Sequence, residues 1–249
     1  ESRGTLTLRH GNGNIVQNNI FFGNGKDHTG GIRVINGDQT IRNNYLEGVT
    51  GYRFGSGLTV MNGVPNSKIN RYHQVDNANI TQNSLINLDH IHFAAGSDAE
   101  RSAAPIKSRF TNNLIVHQEN KDGISLFDDV SGIEFAGNIV HNASELTIDK
   151  GFAVDNVELA RAKNGLLYPT NPEFAKTGVD KALQPTAKTD TGPSWYNKPE
   201  LSVEFGSGTV HKITPSTNVL YKTLQQAQSG DVIELGKGHY VASRTLPVD

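Results

Sequence analysis

Residues 15–20, Ile15-Val16-Gln17-Asn18-Asn19-Ile20, set a pattern of apolar, polar, Asn, Asn, apolar that returns four more times. It is read again at 40–45 (TIRNNY), 80–85 (ITQNSL), 109–114 (RFTNNL) and, weakened, 134–139 (EFAGNI). With the second polar position placed at Asn19, Asn44, Ser84, Asn113 and Asn138, the steps are 25, 40, 29 and 25 residues. A second element precedes each copy, reading TLRHGNG, GIRVING, GLTVMNG, HIHFAAG and GISLFDD. It is centred on Arg9, Arg33, Thr59, His92 and Ser125, with steps of 24, 26, 33 and 33. Two signals sharing a base period near 25, lengthened where loops are inserted, indicate coils of short strands and Asn-rich turns that stack one on the next. The fold expected is all-β, a right-handed parallel β-helix. Asn side chains at equivalent turns are expected to hydrogen-bond along the stack as a ladder, a structural role for Asn19, Asn44 and Asn113.

Composition agrees with this reading. The 249 residues include 26 Gly and 25 Asn, both tolerant of tight turns, against 35% hydrophobic residues. Lys plus Arg is 23 and Asp plus Glu 25, a net charge of −2, which disfavours a generic nucleic-acid or membrane-surface binder. The absence of cysteine removes disulfides, thiolate chemistry and Cys-ligated zinc. No apolar run approaches the roughly 20 residues of a membrane-spanning helix. Glu1 to Leu8 contain no charged n-region or apolar h-region, so no signal peptide is visible.

The repeat fades after His141. Residues 1–156 are expected to form the C-terminal coils of a β-helix, and 157–212 a linker or capping region holding Pro169, Pro172, Pro185, Pro193, Pro199 and the only Trp, Trp195. Residues 213–249 are expected to begin a second β-helix domain, with a short amphipathic helix over Leu220 to Ala227 and strands VIEL and HYVAS. A stack uncapped at Glu1 is expected to be insoluble or paired with another piece.

Strand alternation puts Leu6, Leu8, Ile32 and Val34 inward and Thr7, Arg9 and Arg33 outward. Arg9 and Arg33 are therefore expected side by side on neighbouring coils, about 4.8 Å apart at the backbone. Two such guanidinium groups repel unless an anion or nearby acid relieves them. A strip of this kind, continued by His92, suits the carboxylates or sulfates of a linear acidic polysaccharide. Asn62, Asn66, Arg71, Tyr72 and His73, on the first inserted loop, are positioned to close over it. The sequence has no phosphate-cradling loop, no HExxH zinc pair and no GxSxG elbow. His90 and His92 share a strand face but lack a third metal ligand. Glu47, Asp98 and Glu100 are carboxylates that a glycosidase pair would need, yet no spacing singles out two of them.

The segments LRHGNGN, GGIRV, MNGVPNS, NRYHQV and GSDAERSAAP resemble, in that order, those of polysaccharide lyase family 6, which contains the alginate lyases related to chondroitinase B. The resemblance runs from Glu1 to about His141, and the tail from about Trp195 resembles the linker and second β-helix domain of two-domain alginate lyases. It implies calcium-assisted β-elimination on alginate that leaves unsaturated uronate ends. Alternatives are a lyase on dermatan sulfate or chondroitin-type chains, and a non-catalytic carbohydrate-binding β-helix. The resemblance implies Arg9 and His10 as catalytic residues, and Arg33, Arg71, Tyr72, Glu100 and Arg101 as substrate-binding ones. For Glu100 and Arg101, pairing with each other or anchoring the loop is an equal expectation. The catalytic Lys and the Ca2+ ligands of the family belong to coils preceding LRHG, so no metal ligand is assigned in this chain. By that reading the 249 residues alone are inactive and a longer parent is active. The partner implied is an acidic polysaccharide, with a homodimer or association with the N-terminal part as a further expectation. The location implied is secreted or periplasmic, in a bacterium.

Overall fold

The computed structural model describes residues 4–118, 123–143, 146–184 and 206–246. Trp195 and the prolines at 185, 193 and 199 lie outside them. Three strands are laid down per coil. The first coil holds β1 (Leu6–Leu8), β2 (Ile15–Gln17) and β3 (Ile20–Phe22); the second β4 (Ile32–Val34), β5 (Thr40–Arg42) and β6 (Tyr45–Glu47). The third holds β7 (Leu58–Met61), β8 (Asn79–Thr81) and β9 (Ser84–Ile86); the fourth β10 (Ile91–Ala95), β11 (Ser108–Thr111) and β12 (Leu114–Val116). The fifth holds β13 (Ile124–Leu126), β14 (Ile133–Ala136) and β15 (Asn138–His141), and β16 (Phe152–Val154) follows. Equivalent strands pair in parallel, giving three sheets in the orders β1-β4-β7-β10-β13, β2-β5-β8-β11-β14 and β3-β6-β9-β12-β15-β16. This is the expected parallel β-helix.

The core is built from stacked rows, because each inward position meets its own equivalent one coil away. Val16 faces Ile41, Ile41 faces Ile80, and Phe110 lies between Ile80 and Phe135. All five side chains are buried. Phe93 meets the rings of Phe110 and Phe135 edge-on, both at 5.2 Å, which fills the interior at its widest side chains.

The corner between the second and third sheets explains the Asn repeat. Asn19, Asn44, Asn83, Asn113 and Asn138 form one ladder, each Nδ2 donating to the next Oδ1 at 3.0–3.1 Å, or 2.9 Å from Asn83 to Asn113. Each Oδ1 also accepts the backbone N–H of the preceding Asn, and the second Nδ2 hydrogen of Asn44, Asn83, Asn113 and Asn138 goes to a carbonyl such as Val16 O. A carboxamide with two donors and two acceptor sites is thus used in full, inside the core where an unpaired group is costly. The residue just before each rung, Asn18, Asn43, Gln82, Asn112 or Gly137, has φ between 53° and 63°, the left-handed turn that Asn and Gly tolerate.

The expected register slips by one residue in the third coil. The ladder runs through Asn83, not Ser84, so its true steps are 25, 39, 30 and 25. The Ser84 hydroxyl instead accepts the Val179 N–H at 3.0 Å. The first sheet also departs from expectation: Thr7, not Arg9, lies opposite Arg33, and the row continues through Thr59, His92 and Ser125. Arg9 follows the end of β1, two positions along.

Residues 157–183 pack on the outer face of the third sheet. An antiparallel pair, β17 (Leu159–Arg161) and β18 (Leu167–Pro169), leads into a turn of 3-10 helix at Pro172–Phe174. Val157, Leu166, Tyr168, Phe174, Val179 and Leu183 bury themselves against Tyr45, Ile86, Leu114 and Val116. Arg161 clamps the pair down with a two-point contact to Glu47, at 2.6 and 3.1 Å. Burial pushes the Tyr45 hydroxyl up, helped by its 2.6 Å hydrogen bond to Glu47. Burial also opposes ionisation of Glu47, but Arg161 and Tyr45 outweigh it and hold the carboxyl below its usual range. The third face is therefore covered.

The chain divides into two compact units, Glu1–Pro185 and Thr186–Asp249. In the second, β19 (Val210–Ile213) and β20 (Val232–Leu235) pair in parallel, joined through α1 (Val219–Gln226). Asp231, which accepts from the Thr209 and Gln228 N–H groups and from His211 Nε2, has its carboxyl held down to about 2, the Gln228 backbone bond being the largest cause. The HYVAS segment is not a strand; the Tyr240 hydroxyl ties it back to the carbonyls of Ile213 and Gly236, both at 2.9 Å.

Candidate functional site

The outer face of the first sheet carries the polar row Thr7, Arg33, Thr59, His92 and Ser125, and beside it an apolar patch of Ile35, Met61 and Ala95. Three inserted loops bend back over it, at residues 48–57 after β6, 62–78 after β7 and 96–107 after β10. The Arg53–Gly55 turn contacts β4, β7 and β10, so Arg33, Thr59 and His92 are buried rather than forming an open strip. His92 Nδ1 lies 3.0 Å from Arg53 O, and burial pushes its pKa down.

The second loop places Tyr72. Gly63 starts it where a Cβ would sit 2.5 Å from the backbone of Gln74, and Val64 N–H donates to Tyr72 O at 2.7 Å. The two ends of the loop therefore touch, and Gly is required at the crossing. Asn36 then fastens the loop to the sheet: its Nδ2 reaches Arg9 O at 2.6 Å and Ile69 O at 2.7 Å.

Around Tyr72 three cations converge. The Arg9 guanidinium stands 4.6 Å from the ring centre, and those of Arg33 and Arg101 5.6 Å. Arg33 also stacks on Phe54 at 4.8 Å and donates from Nη2 to the Tyr72 hydroxyl at 3.3 Å. The ring relieves the expected repulsion between Arg9 and Arg33, since its negative face attracts both. Burial opposes ionisation of Tyr72, yet the Arg33, Arg9 and Arg101 charges prevail and set its hydroxyl below the ordinary phenol value.

Among the described residues Arg101 has an acidic partner and Arg9 has none. Arg101 pairs with Asp98, whose Oδ1 also accepts the Arg101 and Glu100 N–H groups, and donates from Nε to Gly96 O at 2.7 Å. Its partner is thus Asp98, and the pairing with Glu100 does not form. The Arg101 N–H bond leads the causes that hold the Asp98 carboxyl down. Asp128 steadies the same loop, accepting from Ser97 Oγ and Asn62 Nδ2, both at 2.7 Å. Among the described residues Arg9 has no acidic partner, and its buried Nε meets no acceptor.

Of the residues singled out in the sequence, Arg9, Arg33, Tyr72 and Arg101 come together. His10, Arg71 and Glu100 are exposed on the rim, with no side-chain partner among the described residues. Glu47 belongs to the Arg161 clamp on another face. Phe54 and Asn36 were missed. Asn36 had a visible signal, the shared Asn-Gly of GIRVING and GLTVMNG, whereas Phe54 sits in an insertion with no repeat to compare. The described residues contain no group of three or more acidic or imidazole side chains able to hold a metal, so calcium finds no ligand set among them. A cavity of about 710 Å³, with Lys107, Arg109, Phe135 and Lys150 in its lining, lies on the second sheet and converges on no such cluster.

This chain is a parallel β-helix whose loop-roofed first sheet gathers guanidinium groups around one tyrosine ring. Residues 1–179 match the family described as Chondroitinase B, and the chain belongs to that family, polysaccharide lyase family 6. It is similar to the structure of the PL6 family alginate lyase AlyGC, with 60% identity and a TM-score of 0.74, over 98% of this chain and 34% of that one. A variant of AlyGC in which an arginine is replaced by alanine matches equally. A mannuronic acid specific family 6 lyase from human gut microbiota matches at 25% identity and a TM-score of 0.51, over 61% of this chain and 36% of that one. No curated protein matches. The chain spans about a third of the length of the lyases it matches.

Proposed function

We propose that this chain, in its natural full-length context, serves a lyase that cleaves alginate by β-elimination. The observation that carries the reading is Arg9, a cation packed on Tyr72 with no acidic partner among the described residues, beside Arg33 on the same ring. An unneutralised guanidinium held in place is suited to a uronate carboxylate, and neutralising that carboxylate acidifies the adjacent C5–H. Arg71 on the rim extends the cationic edge along which a chain would lie, and His10 is exposed there as well. Support for alginate comes from the 60% identity to AlyGC. A dermatan sulfate substrate is favoured by the Chondroitinase B match and is the second reading. Calcium, implied by the family resemblance, enters as a group held by residues other than those described. Action on a polymer implies an exported enzyme; none of the described helices is long and apolar enough to cross a membrane.

The test is ultraviolet absorbance of unsaturated product from alginate and from dermatan sulfate, with and without a calcium chelator. A rise on alginate that the chelator abolishes is expected. A rise on dermatan sulfate alone would move the substrate to the second reading, and none on either would remove the lyase.

A further inference from the structure

We propose that Asn36 and Asn62, at equivalent positions of neighbouring coils, are positioning residues of the cationic site: each fixes the main chain of an arginine that faces Tyr72, and so sets where its guanidinium meets a uronate carboxylate. The inference rests on the lyase reading above and deepens it.

What the two amides bond to carries it. Strands β4 and β7 pair Val34 with Val60, so Asn36 and Asn62 follow two positions later on adjacent rungs, and both are fully buried. Asn36 Nδ2 donates to Arg9 O at 2.6 Å and to Ile69 O at 2.7 Å, with Gly11 O at 3.1 Å. One carboxamide therefore holds both the chain at Arg9 and the loop that carries Tyr72, the two partners of the 4.6 Å contact between guanidinium and ring. Asn62 Nδ2 donates to Arg101 O at 3.2 Å and to Asp128 Oδ2 at 2.7 Å, which ties the loop bearing Arg101 to the fifth coil. The Arg101 guanidinium stands 5.6 Å from the centre of the same ring. A hydrogen bond to an arginine's carbonyl fixes the peptide plane beside its Cα, and with it the direction in which the side chain leaves. Charge-assisted pairing with a carboxylate depends on that direction.

A contrast with the Asn ladder separates this use of asparagine from an architectural one. Ladder amides use donors and acceptor together: Asn83 Oδ1 takes both the N–H and the Nδ2 of Asn44. Asn36 and Asn62 use only their donors, each Oδ1 being buried with no partner among the described residues. An unmet carbonyl oxygen in the interior works against stability. Two amides on adjacent rungs could have made a further step of ladder; each is turned to an arginine carbonyl instead.

The experiment uses the full-length protein and calorimetric affinity for an alginate trisaccharide, read well below the thermal midpoint. Asn36→Gly is compared in the parent and in Arg9→Ala, glycine being chosen because Asn36 has φ 69°. Asn62→Ala is compared in the parent and in Arg101→Ala, and Asn83→Ala in the ladder is the architectural control. In the parent, Asn36→Gly should weaken binding about tenfold and Asn62→Ala about threefold, the smaller effect because Asp98 also holds Arg101. Where the matching arginine is already absent, each should change affinity by less than about twofold. Asn83→Ala should lower the thermal midpoint while affinity stays within about twofold. If Asn36→Gly does not fold, Asn62→Ala with Arg101→Ala decides alone. An equal loss with and without the arginine, unchanged affinity in a folded variant, or failure of both variants to fold overturns the positioning role. Absence of unsaturated product from an unsubstituted protein that binds with the coupling intact overturns the lyase reading alone; absence of binding overturns both.

Discussion

Arg161 and Glu47, 114 positions apart in the chain, meet in a two-point ion pair that fastens the hairpin of residues 159–169 across the third sheet. The pair closes the face on which Tyr45 and its apolar neighbours would otherwise be wet, and so leaves the first sheet as the loop-roofed, cation-bearing side.

The clamp predicts a pH dependence on the acid side. Glu47 has a folded-state pKa below its ordinary value of 4.5, so its contribution to stability is present above that value and is lost as pH falls through the lower, folded one. Arg161→Ala should lower stability at neutral pH by about 1 kcal/mol, a modest figure because the pair is partly exposed. The difference between variant and parent should shrink as pH falls below 4.5 and vanish only below the lower, folded-state value, which urea unfolding at several pH values would show.

Register in the Asn ladder predicts a contrast between neighbours. Asn83→Ala strips partners from the Asn44 N–H and Nδ2, from Asn113 Oδ1 and from the Ile41 carbonyl, all buried. A loss of about 3 kcal/mol is expected. Ser84→Ala removes one hydroxyl acceptor for Val179 and should cost about 1 kcal/mol. Denaturant midpoints at unchanged slope would separate the two; equal losses would mean that the ladder is not what holds this corner.

Phe110→Ala opens a cavity where the Phe93, Phe135 and Phe152 rings converge. A loss of about 3–5 kcal/mol is expected. Phe127→Ala, at an exposed ring, should cost well under 1 kcal/mol by the same urea titration.

How much of this was legible follows from what repeats. The β-helix, the ladder and the inward rows are written once per coil, so their copies reinforce one another. The slip from Asn83 to Ser84 arose because ITQNSL has one Asn where its neighbours have two, and a one-residue error reverses every facing. Arg9 was misplaced opposite Arg33 for a related reason: only the step of 24 pointed to it, whereas the sheet pairs Thr7 with Arg33 across 26 positions. The convergence of Arg9, Arg33 and Arg101 on Tyr72 depends on where inserted loops fold back. Phe54, and the roles of Asp98 beside Arg101 and of Asp128 beside Ser97 and Asn62, become visible only once those loops are in place.

The central claim is that Arg9 and its neighbours form a uronate-gripping site, and the most direct measurement is calorimetric titration with an alginate oligosaccharide at two salt concentrations. Binding that weakens with salt, falls about tenfold or more in Arg9→Ala, and is absent for a neutral oligosaccharide of equal length is the result predicted. Equal affinity in Arg9→Ala, or equal binding of the neutral chain, would contradict it.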